Sequence, residues 1–133
     1  MDKYRCTNLQ KNSTKNYLMS EFFRSEVVRA EMAEISELQE EVYNNVFKFP
    51  SMPKEDKQYH VGILERLIEK QKILYTRLSL SDDPEAQKMK ENITQSAAEL
   101  GLPQDVDMNV IFNNMTRALE FMKQQIDKGQ FNL

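Results

Sequence analysis

Reactive side chains are scarce in this sequence: one His, one Cys and no Trp among 133 residues. Asp56 precedes His60 by one helical turn, a spacing that puts two metal-ligating groups on the same helix face. Two ligands fall short of the three or four that a zinc site takes. The pair is therefore expected as a solvated Asp–His contact near the start of a helix. A carboxylate-bridged di-iron or di-manganese bundle needs two Glu-x-x-His motifs; here there is a single His, and position 57 is Lys57. Cys6 lies in a polar stretch with no base beside it and nothing to lower its thiol pKa, so nucleophilic catalysis has no seat there. Three scattered glycines form no phosphate cradle, and neither GxxxxGK[ST] nor GxGxxG occurs. The sequence assigns no catalytic, cofactor-binding or metal-ligating residue, and the expectation is a non-enzymatic protein.

What remains is binding through aromatic and charged surface. Phe22-Phe23 opens the first helical segment, and Phe47-Lys48-Phe49-Pro50 follows it. Phe22, Phe23, Phe47 and Phe49 are the candidate partner-binding residues. Each pair has a structural alternative: aromatics at a helix start staple onto a core, and those at a bundle end plug it. Charge is unevenly spread. Residues 21–47 carry seven Glu and two Arg, whereas residues 48–80 carry seven basic and four acidic residues. An acidic helix followed by a basic one is the pattern of two antiparallel helices with opposite charges along their seam. Arg66, Lys70, Lys72 and Arg77 are thereby assigned to pairing, within their own helix with Glu65 and Glu69 or across that seam. With a net charge of −3, nucleic-acid binding is not expected.

Four helices position these residues. A polar, aperiodic stretch over residues 1–19 reads as an arm, with Met19 as the expected translational start. From Ser20 to about Phe47, apolar residues recur at Val28, Met32, Ile35, Leu38, Val42, Val46 and Phe49, which is one helical face. Pro50 and Pro53 end this helix; Ser51 is positioned to cap the next, with Pro53 in its first turn. The second helix is expected over Lys54 to Leu80, burying Val61, Leu64, Leu67, Ile68, Leu74, Tyr75 and Leu78. Gln71 interrupts that stripe and is placed at its edge. Gly62 costs about 1 kcal/mol inside a helix, which predicts close approach of a neighbouring helix as compensation. Ser81-Asp82-Asp83-Pro84-Glu85 combines cap, first-turn proline and acid, so a third helix starts there. Its stripe is Ala86, Met89, Ile93, Ala97 and Leu100, closed by Gly101-Leu102-Pro103. Met108, Phe112, Met115, Leu119, Met122 and Ile126 form the face of a fourth helix ending at Gly129. The eight methionines are read as core fillers.

The expected architecture is all-α and four-helix-bundle-like: a long antiparallel hairpin plus two shorter helices in one domain over residues 20–129, with a tail at 130–133. The shorter helices leave part of the hairpin uncovered, so a homodimer is expected. A mean hydropathy of −0.68 argues against a membrane span. The basic N-terminal residues precede no apolar h-region, so a cytoplasmic protein is expected.

The segment Phe22-Phe23-Arg24-Ser25-Glu26-Val27-Val28 with Glu31, the stretch Lys70 to Arg77 (KQKILYTR), and Leu80-Ser81-Asp82-Asp83 together resemble a family of short helical proteins from cyanobacteria and their phages, a domain of unknown function. The resemblance covers about residues 20–128. It implies a cyanobacterial or cyanophage cytoplasmic protein, a start just before the Phe-Phe pair, and no catalytic residues. The expected function is a helical protein-interaction module with a regulatory role. The alternative is a transcription-associated adaptor docking on host polymerase or a sigma factor through its acidic first helix.

Overall fold

The computed structural model describes residues 20–103, 105 and 107–129. The arm expected over 1–19, with Cys6 and the Met19 start, and the tail at 130–133 lie outside these residues. The fold is all-α, as the periodicities predict. It consists of α1 (Glu21–Arg24), α2 (Glu26–Asn45), a 3-10 segment (Val46–Ser51), α3 (Lys54–Leu80), α4 (Pro84–Glu99) and α5 (Met108–Asp127). Among the described residues no helix is long and apolar enough to cross a membrane.

Helix α3 is the spine, because its apolar residues make two stripes. Val61, Ile68 and Tyr75, seven residues apart, join Met108, Phe112, Leu119 and Ile126 of α5 in one cluster. Leu67, Leu74 and Leu78 join Val28, Ile35 and Leu38 of α2 and Ala86 of α4 in the other. A seven-residue repeat keeps a helical stripe on one neighbour for its whole length, so α2 and α5 each run antiparallel along a flank of α3. Polar pairs mark both seams. Arg77 Nε lies 2.8 Å from Glu31, and Arg66 and Lys70 lie 2.9 and 3.0 Å from the two oxygens of Glu34. On the other side Lys123 reaches Glu65 at 3.3 Å, and Gln58 Nε2 donates to Asp127 Oδ1 at 2.7 Å. Arg66, Lys70 and Arg77 thus pair across the seam with α2, whereas Lys72 donates to Asn113 and Glu65 pairs with Lys123, both on α5.

The structure departs from the sequence reading at several places. The first helix breaks at Ser25, whose extended backbone and Oγ, accepting from Val28 N, make it the N-cap of α2. The break lets α1 fold back so that Phe22 and Phe23 pack on the cluster around Val28 and Ala86. Ser51 does not cap α3: its Oγ donates to the Lys48 carbonyl at 3.1 Å, and Pro53 occupies the N-cap position with no side-chain bond. Nothing lies within 4 Å of a Cβ built on Gly62, so no neighbour exploits that glycine. Leu100 is exposed. The chain leaves α4 through a Schellman turn in which Gly101, at φ 104°, donates to the Ala98 carbonyl and Leu102 to the Ala97 carbonyl. Leu102 then takes the core contact expected of Leu100. Finally, His60 is not solvated, as described below.

Candidate functional site

The end of α2 divides the two phenylalanines of Phe47-Lys48-Phe49. After Asn45 the chain tightens to 3-10 winding, in which residues three apart eclipse and neighbours point in different directions. Phe49 turns inward and is buried. Its ring centroid lies 5.3 Å from the His60 imidazole, and the Lys57 ammonium stands 5.9 Å from the ring. The turn is fastened by Met52 N donating to the Phe49 carbonyl at 3.1 Å. Phe47, anchored at its base by this closed turn, is 91% exposed. Tyr43, four residues earlier, is exposed as well, and so are Glu37 and Glu40 on the outward side of α2. Those two carboxylates make no ion pair among the described residues, in contrast to Glu31 and Glu34, which face α3. Two cations next to Glu34 hold its carboxyl below the ordinary value, chiefly through the Lys70 and Arg66 hydrogen bonds.

The opposite end of the hairpin uses its aromatics internally. Phe22 and Phe23 meet edge to face, 5.0 Å between centroids, and are half-buried on the core rather than exposed. One carboxylate ties this end together. Asp83 Oδ1 caps α4 by accepting from Glu85 N at 2.9 Å, while Oδ2 accepts from Phe22 N at 3.0 Å. The Phe22 N–H lowers the Asp83 pKa most, with the Glu85 N–H adding to it against partial desolvation. Of the four candidate contact residues, the structure therefore gives Phe49 to the core and Phe22 and Phe23 to a staple, and leaves Phe47 facing solvent.

His60 is only 5% exposed, whereas Asp56 is on the surface, so the expected solvated pair does not form. Burial beside Phe49 lowers the His60 pKa, and the Glu41 charge only partly offsets it. Counting apolar residues alone missed this histidine; the stripe His60, Leu64, Leu67, with Lys57 one turn earlier, was the available signal. No three His, Cys, Asp or Glu side chains converge as a metal-binding group among the described residues. Tyr59, exposed on α3, hydrogen-bonds Glu41, whose charge raises the phenol pKa.

An antiparallel helical domain hosts many functions, and the fold alone does not choose among them. Residues 20–126 match the family described as Domain of unknown function (DUF1825). The chain belongs to that family. No curated protein and no solved structure matches it.

Proposed function

We propose that the chain is a non-enzymatic protein-interaction module that docks through Phe47. It acts in the cytoplasm of a cyanobacterium or of a cell infected by its phage. The observation that carries this reading is the contrast within one 3-10 segment: Phe49 is spent on the core, while Phe47, two residues earlier, is 91% exposed. A rigidly based aromatic is the kind of anchor that contributes most to an interface, because little conformational freedom is lost when it seats. Tyr43 extends the apolar contact, and the unpaired Glu37 and Glu40 select a partner whose socket is edged by Lys or Arg. The adaptor reading, a host polymerase or sigma factor as partner, is favoured by the same two carboxylates.

Homodimerisation fits a different surface. Val110 and Phe121 are both exposed on α5 and stand eleven residues apart, three turns along one line of the helix. Sedimentation of Phe121→Lys against the unaltered chain reads this: a dimer converted to monomer supports it, and identical behaviour removes it.

The docking surface is tested by capture from cyanobacterial lysate with the chain, with Phe47→Ala, and with Glu37→Lys/Glu40→Lys. A partner retained by the chain and lost from both variants, each still helical and cooperative in melting, supports the reading. Equal retention by Phe47→Ala sinks it.

A further inference from the structure

Near the middle of α3 the packing is incomplete. Ile35 and Gln39 of α2, Gln71, Leu74 and Tyr75 of α3, Met89 and Ile93 of α4, and Met108 and Phe112 of α5 surround a cavity of about 330 Å³. The pocket is partly open to solvent, and its volume lies in the range of small-molecule sites. Its chemistry is uniform. Among the described residues no charged side chain lines it, Tyr75 and Phe112 supply rings 5.9 Å apart, and two methionines supply adaptable walls. Among the described lining residues the amides are Gln39 and Gln71, whose side chains both donate and accept. Gln71, the polar break in the α3 stripe, is half-buried at the edge of this pocket.

We propose that this cavity binds a small neutral molecule, mainly apolar and with one hydrogen-bonding end directed to the two glutamines. The dimensions exclude a helix as occupant. Each wall helix contributes residues no more than about one turn apart, 35 and 39, 71 to 75, 89 and 93, 108 and 112, so the opening is roughly one 5.4 Å pitch long. A docked helix needs a groove that takes anchors at i, i+3 or i+4, and i+7. A charged ligand would be desolvated with no countercharge to meet it. The site shares no residue with the Phe47 surface, so it stands or falls separately from the proposed docking.

Indole, an apolar ring with one N–H donor, is a suitable probe. The measurement is the methionine-methyl NMR spectrum of the full chain during an indole titration. The expected result is saturable movement of the Met89 and Met108 methyls, with Met52 and Met122, remote from the cavity, unmoved. Met89→Trp fills the volume and is expected to weaken the Met108 response at least about tenfold, the loss that follows when a pocket is occupied from within. Gln71→Glu, at a half-exposed position, is the second variant if the first does not fold; a charge at the mouth is expected to weaken indole comparably. The proposal is overturned if the methyls do not move, if all methionines move together, or if indole binds the folded variants as well as the parent. It is also overturned if the Met89 and Met108 signals shift with protein concentration alone, since a second copy would then occupy the site.

Discussion

Replacing Leu78 by Ala tests whether α3 is the spine that locks α2 and α4 together. Leu78 is fully buried, in the cluster formed with Val28, Leu74 and Ala86. Deleting a buried leucine beyond Cβ costs about 2.7–5 kcal/mol, depending on how far the surroundings collapse. Collapse is restricted here. The α3–α4 connection is only three residues long, and Asp83 fixes the start of α4 to α1. The upper part of the range therefore applies, about 4 kcal/mol. For a helical domain of this size, roughly 4 °C of melting temperature accompanies each kcal/mol, so Leu78→Ala is expected to melt about 15 °C lower. Phe47→Ala, which removes a larger side chain, is expected to stay within about 0.5 kcal/mol, or 2 °C, because exposed positions carry little stability. Differential scanning calorimetry on the two variants supplies both numbers. A loss under about 1 kcal/mol at Leu78, or above it at Phe47, would refute the assignment of one side chain to the core and the other to binding.

Gly62→Ala is expected to stabilise the fold by about 1 kcal/mol, raising the melting temperature, since the helix gains propensity and no atom opposes the new methyl. Asp83→Ala removes acceptors from two helix starts and should lower the melting temperature. Because the folded Asp83 pKa lies below its unfolded value of 3.8, its contribution is complete above that value and disappears as pH falls through the lower folded pKa. A pH series of melting curves should therefore converge for parent and variant at strongly acidic pH. His60 has the opposite charge type but a similar direction. Its folded pKa is depressed below 6.5, so the unfolded chain binds the proton first and stability falls as pH drops from 6.5 towards the folded pKa. His60→Phe should flatten that part of the profile.

The sequence disclosed the elements where punctuation is chemical. Helix α3 spans Lys54–Leu80 as expected, Asp83-Pro84-Glu85 opens α4, and Gly101 and Gly129 close α4 and α5 at positive φ. The break at Ser25 was hidden because Ser20-Glu21 and Ser25-Glu26 carry the same cap signal five residues apart; in the fold the Ser25 side chain caps a helix and the Ser20 side chain does not. The inward turn of Phe49 depends on 3-10 winding, which shifts the face after Asn45 and leaves Val46 and Phe47 exposed. His60 and Lys57 were passed over because apolar periodicity does not count residues buried through their rings or stems. The cavity was not legible at all, being set by where four helices fail to meet.

Placing a photoreactive benzoylphenylalanine at position 47, with Leu100 as an equally exposed control position, tests the docking claim in living cyanobacterial cells. Irradiation should yield one discrete heterologous adduct from position 47 and none from position 100. The same adducts from both positions, or none from position 47, would contradict the account.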